Sequence, residues 1–113
     1  HEDARFAFAD GDRLTAFVDN VICAVLRKEG VVVLREAVAR AIDAGELLPS
    51  GSLEEVSLRA AAMTGVELAA AAASTAAAPL TPVELGNWLW GGLGKSASHR
   101  PFPRHATRDT VFY

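Results

Sequence analysis

Leu14, Phe17, Val18, Val21, Ile22, Val25 and Leu26 recur at spacings of i, i+3, i+4, i+7, i+8, i+11 and i+12. Apolar residues at those intervals fall on one face of a 3.6-residue helix. The spacing predicts an amphipathic helix from about Asp12 to Glu29. Asp10 or Asp12 is placed to cap its start, and Gly30 stands where a C-terminal glycine belongs. A stripe this wide needs other elements to cover it, so this segment organises the rest of the fold.

The following segments carry their own punctuation. Gly30-Val31-Val32-Val33 reads as a brief extended piece or, by preference, a buried connection into a second helix, about Leu34 to Ala44, whose stripe is Leu34, Val38, Ala41 and Ile42 and whose end is Gly45. Pro49-Ser50-Gly51 is a turn. Ser52-Leu53-Glu54-Glu55 has the form of a capping box, and a third helix follows from Leu53 to about Ala73 or beyond. Eleven of residues 60–78 are alanine, which favours helix and lets neighbours approach closely but buries little area. A flexible alanine-rich linker near residues 72–79 is the competing reading. Thr81-Pro82-Val83-Glu84 repeats the start signal, with Thr81 as cap and Pro82 at the first helical position, and the fourth helix ends at Gly91-Gly92. Residues 93–113 read as an irregular tail closing on apolar Val111-Phe112-Tyr113. With no repeat and no alternating strand set, the expected class is all-α: a small domain of about four helices and an irregular tail.

Composition narrows the function classes. The chain has 113 residues, 50% hydrophobic and 22% charged, which excludes disorder and permits one small core. The net charge of −3 argues against direct nucleic-acid binding. The charge is uneven: residues 1–94 hold 7 basic and 13 acidic side chains, whereas residues 95–113 hold Lys95, Arg100, Arg104 and Arg108 against Asp109 alone. A basic tail on an acidic body can dock back onto it or meet a phosphate. Cys23 is the single cysteine, so no internal disulfide or cysteine metal cluster forms, and a reducing cytoplasmic setting is the default expectation. The longest apolar stretch, Ala69 to Ala78, is too short to span a membrane, and no membrane partner is expected.

Few residues carry chemistry on spacing alone. On a helix running from Asp12, Asp19 falls at the rim of the apolar face, where a carboxylate can line a cleft or act as a hydrogen-bonded buttress. Arg59 and Glu67 lie on nearby faces of the third helix and are read as structural. Glu55 and Arg59 form an i, i+4 pair, and burial of Glu67 would require a partner, for which Arg59 is one candidate. Trp88 and Trp90 flank Leu89 and point in different directions; a tryptophan can stack on a planar base, and is more often core. In the tail, Arg104 or Arg108 suits a phosphate, or a salt-bridged clamp. The histidines form no metal-ligand pattern, no phosphate-loop or dinucleotide motif is present, and Cys23 reads as inert packing.

Three stretches resemble one family. Leu14-Thr15-Ala16-Phe17-Val18-Asp19-Asn20-Val21-Ile22 is similar to the L-T-x-F-A-D stretch of the queuosine salvage family. Ala44-Gly45 with Leu48-Pro49, then Gly51-Ser52, Glu54-Glu55-Val56, Leu58-Arg59-Ala60 and Val66-Glu67, resembles its G-S-x-E-E-V-E-x-R-A … V-E segment. Leu89-Trp90, then Pro103-Arg104-His105, Thr107-Arg108 and Val111-Phe112-Tyr113, resembles its P-x-H-R-x-R-x-x-Y ending. Order and spacing agree over about residues 10–113. Where many relatives carry D-Y-R-x-P-Q, this chain has Asp19-Asn20-Val21-Ile22-Cys23-Ala24, so those contacts do not carry over.

The resemblance implies an all-α fold likened to helix-hairpin-helix DNA glycosylases. It implies an N-glycosidase that releases queuine from queuosine 5′-phosphate for tRNA modification, without cofactor or metal. It implies Asp19 as the catalytic carboxylate; beside it, Asn20, Trp88, Trp90, Arg104, His105 and Arg108 are expected on their own chemistry to bind substrate. Family members are longer, so residues 1–113 are expected to be a single helical domain, the C-terminal part of a longer enzyme or one half of a split one, with the remaining N-terminal part as a partner chain. The other reading is a non-catalytic helical module packed on a partner.

Overall fold

The computed structural model describes residues 8–110. The terminal Val111-Phe112-Tyr113 lies outside the described residues. Four helices are present: α1 Asn20–Lys28, α2 Glu36–Asp43, α3 Leu53–Ala73 and α4 Pro82–Gly91. Short 3-10 turns occupy Gly11–Arg13 and Leu93–Lys95. Among the described residues there is no sheet, only an isolated bridge between Leu47 and Ala106. The all-α expectation is met.

The local signals place most boundaries. Gly30 and Gly45 both take positive φ, 78° and 76°, just past the ends of α1 and α2. Each closes its helix with paired backbone bonds: Gly30 N–H to Arg27 O with Val31 N–H to Leu26 O, and Gly45 N–H to Ile42 O with Glu46 N–H to Ala41 O. Ser52 caps α3 by accepting from Glu55 N–H at 3.3 Å, and the Glu55 carboxylate reaches back to Gly51 N–H. Thr81 and Glu84 complete both halves of a capping box on α4. Helix α3 stops at Ala73, and residues 74–80 form a hydrogen-bonded bend in which the Ser74 hydroxyl accepts from Leu80 N–H at 2.9 Å.

The first helix differs from the expectation. It begins at Asn20, eight residues later than the periodicity suggested. Residues 14–18 run extended, with Ala16 and Val18 buried and Leu14 and Phe17 exposed. That alternation has the period of two proper to an extended segment. An almost wholly apolar run satisfies either period. Packing against α4 decides: a Cβ placed on Gly86 would lie 2.9 Å from Ala16 Cβ, so the two backbones approach too closely for any larger residue on α4.

The core is formed by Ile22, Cys23, Val25 and Leu26 of α1, Leu58, Ala62 and Val66 of α3, Leu89 of α4, and Val32, Ile42 and Leu48 from the connections and α2. Helix α1 packs on both α3 and α4. Helix α2 is tied to α1 by a two-pronged ion pair, Arg27 to Asp43, at 2.7 and 3.0 Å. By length and composition α3 could cross a membrane, yet here it packs on α1 and α4 and buries the Glu55 carboxylate. Its inward face is Glu55, Leu58, Ala62, Gly65, Val66 and Ala70. Glu67 falls one 100° step beyond Val66 and is exposed, so Arg59 pairs with Glu55 at 3.4 Å instead. The sequence-based burial of Glu67 is corrected by that rotation.

Candidate functional site

Asp19 sits at the N-cap of α1, not on the helix flank. Its Oδ1 accepts from Val21 N–H and Ile22 N–H, each at 3.0 Å. These are two of the backbone donors that a helix start leaves without intrahelical partners. Its Oδ2 accepts from Trp90 Nε1–H at 2.8 Å. A carboxylate offers about four lone-pair sites, so three N–H donors leave about one for another hydrogen bond.

This carboxylate borders a cleft of about 470 Å³, within the size range of small-molecule sites. Leu14, Thr15 and Phe17 of the extended segment form one wall, and Val83, Gly86, Asn87 and Trp90 of α4 form the other. Asp19 and Ile22 lie between them. Phe17 is 68% exposed and Trp90 43% exposed, so the walls present apolar and aromatic surface to an incoming planar group. A larger groove of about 620 Å³ runs along the outer face of α3, but no titratable side chain lines it. Chemistry therefore points to the Asp19 cleft.

The expected substrate contacts divide sharply. Trp90 reaches the cleft, touches the carboxylate, and carries Lys95 Nζ 4.2 Å above its ring. Trp88 is 59% exposed and is not among the residues lining the cleft. Neither tryptophan is core; Leu89 between them is the buried one. Asn20 donates its side-chain amide to the His105 carbonyl at 3.2 Å and so holds the tail rather than facing the cleft. The His105 ring is buried near Glu55, Arg59 and Asp19; desolvation holds its pKa below the usual histidine value, with the Arg59 charge pushing the same way. Arg108 is exposed and lines neither the cleft nor the cationic hollow beside it. Arg104 lines that hollow, of about 300 Å³, together with Gly94, Lys95 and Arg100.

The expectation for Cys23 holds. Cys23 is buried, and desolvation, helped by the Asp19 charge, raises its thiol pKa to about 12, so it is packing rather than nucleophile. Among the described residues no group of three or more His, Cys, Asp or Glu side chains could hold a metal. Spacing arguments missed Thr15, Phe17 and Asn87 as cleft walls. The glycine at position 86, inside a strongly capped helix, was the available signal of a close approach there.

Comparison with known proteins identifies the family. The family model described as "Queuosine salvage protein" matches residues 1–113. The chain is 35% identical over 107 residues to a protein of Sphaerobacter thermophilus named queuosine 5′-phosphate N-glycosylase/hydrolase. That match covers 95% of this chain and 32% of the relative, so the chain spans about a third of the relative's length. By that match over residues 1–113, the chain belongs to the queuosine salvage protein family.

Proposed function

We propose that this chain contributes the catalytic carboxylate of an N-glycosidase that releases queuine from queuosine 5′-phosphate. The observation that carries the reading is Asp19: a carboxylate fixed by three N–H donors at the edge of an open aromatic-walled cleft. Cleavage of an N-glycosidic bond builds positive charge on the sugar in an oxocarbenium-like transition state. A preorganised negative charge beside the anomeric carbon stabilises that state without reorganising. The remaining acceptor site of Asp19 can orient the attacking water, and Trp90 offers an indole beside the base. The relative's name supports the substrate, and the family match supports the role in queuosine salvage.

Incubation with queuosine 5′-phosphate, with free queuine followed by mass spectrometry, tests the reading. The assay uses this chain alone and together with a chain supplying the rest of the family's length. Release should occur in at least one mixture and vanish with Asp19→Asn. Undiminished release by a folded Asp19→Asn protein sinks the assignment.

A second reading, a helical module packed on another chain, is favoured by one surface. Leu53, Val56 and Leu68 of α3, with Val31 and Val33, are all exposed apolar side chains. A chain carrying the other two thirds of the family's length is the partner we propose for that face. The two readings are compatible if the module completes a pocket of which Asp19 is one wall.

A further inference from the structure

We propose that Ser98, set up by His99 and Glu29, is a nucleophile that takes an acyl group from a small activated carboxylic ester. None of the three residues lines the Asp19 cleft, so this chemistry is separate from the glycosidase reading.

The first ground is the chain of bonds. Ser98 Oγ lies 2.8 Å from His99 Nδ1, and His99 Nε2 is bonded to the Glu29 carboxylate. A hydroxyl within hydrogen-bond reach of a base, with the base oriented by a third group, is the arrangement that activates a serine. The two ring nitrogens have exchanged places relative to the chymotrypsin order, in which the serine meets Nε2 and the acid meets Nδ1. Either nitrogen of a neutral imidazole can accept while the other donates.

The second ground is where the protons point. The Glu29 carboxylate offers acceptor oxygens, so the hydrogen of that bond sits on Nε2. In the neutral ring Nδ1 is then an acceptor. Ser96 lies 3.1 Å from Nδ1, but its hydroxyl donates to the Leu93 carbonyl at 2.7 Å. Ser98 is therefore the hydroxyl that donates to Nδ1, at a shorter distance than the 3.1 Å to its other neighbour, Ser96 Oγ.

The third ground is access. Ser98 is exposed, whereas His99 is buried. An electrophile arriving from solvent meets the serine oxygen before it meets the base. The turn is held as well: His99 N–H and Arg100 N–H both donate to the Ser96 carbonyl, at 3.2 and 2.9 Å. Anchoring the tail on Glu29 requires only the Nε2 bond, and gives no reason for an exposed hydroxyl on Nδ1.

In the reaction, Ser98 Oγ bonds to the ester carbonyl carbon as its proton passes to His99 Nδ1. The bond from that carbon to the leaving oxygen then breaks. The proton on Nδ1 departs with the released alcohol or phenol, and the acyl group stays on Ser98. Glu29 steadies the imidazolium between the two proton transfers.

The probe is p-nitrophenyl acetate. Release of nitrophenolate is followed by absorbance, and the acetylated residue is located by peptide mass spectrometry. Acetyl should accumulate on Ser98 at least about tenfold faster than on the exposed serines Ser50 and Ser57, as general-base assistance requires. Ser98→Ala leaves the His99–Glu29 bond in place, so it removes the nucleophile without undocking the tail, and it should remove most of the protein-dependent release. His99→Gln should slow acetylation about 100-fold. Glu29→Gln keeps an acceptor for Nε2–H and removes only the charge, and should slow it by about tenfold or more. Acetyl spread evenly over Ser50, Ser57 and Ser98, or release that persists at the full rate in Ser98→Ala or His99→Gln, overturns the proposal.

Discussion

Asp19 has two duties in this fold, and a set of substitutions separates them. Asp19→Ala removes the acceptor for Val21 and Ile22 N–H, costing about 1–2 kcal/mol for the lost cap. It also leaves Trp90 Nε1–H to water, costing about 0.5–1 kcal/mol at a site this exposed. The total is about 1.5–3 kcal/mol. Asp19→Asn differs, because asparagine caps a helix about as well as aspartate. Its carbonyl oxygen can replace Oδ1, but its amide nitrogen then faces Trp90 Nε1–H, donor against donor. Losing that bond and the charge at the helix start costs about 1–2 kcal/mol. Against a total stability of about 5–15 kcal/mol both variants remain folded. At about 4 °C per kcal/mol, Tm should fall by about 4–8 °C for asparagine and about 6–12 °C for alanine. Urea unfolding followed by far-ultraviolet circular dichroism, run with Trp90→Phe in a double-mutant cycle, should give a coupling of about 0.5–1.5 kcal/mol between Asp19 and Trp90. A coupling below about 0.3 kcal/mol, or equal destabilisation by asparagine and alanine, would refute the claim that this carboxylate is both cap and indole acceptor.

Two further outcomes are expected. Gly94→Ala forces a Cβ against Val21 and the Leu89 carbonyl and should destabilise by about 1–3 kcal/mol, read as the urea midpoint; an unchanged midpoint would mean the turn is not pressed onto α1. Because His105 is held neutral by burial, its unfolded form takes up a proton below about pH 6.5 while the folded form resists, so its contribution is complete above that pH and is lost as pH falls through the lower folded value. The stability difference between the parent protein and His105→Asn should therefore shrink from pH 7.5 towards pH 5, and a difference independent of pH contradicts the assignment.

Most helix boundaries were legible because their causes are local. Ser52, Thr81-Pro82-Glu84, Gly30 and Gly45 act within one turn of themselves, and each does in the structure what its chemistry requires. The start of α1 was not legible. Leu14 to Val18 suits a helical stripe and an extended strip equally, and the deciding contact, Gly86 against Ala16, comes from the far end of the chain. The error moved Asp19 from a helix flank to a helix cap, so its local geometry was misread.

The candidate site divides along the same line. Residue type and family pattern made Asp19, Trp90 and Arg104 candidates, since a carboxylate, an indole and a guanidinium keep their chemistry wherever they are placed. Tertiary structure alone decided which of them meet. Trp90 reaches Asp19 across 71 residues, and His105 reaches Asn20 across 85, and those contacts separate a cleft residue from a tail anchor. Caps and glycine turns are written within a few neighbouring residues. A site assembled from an extended wall, a helix start and a docked tail exists only once long-range packing has brought them together.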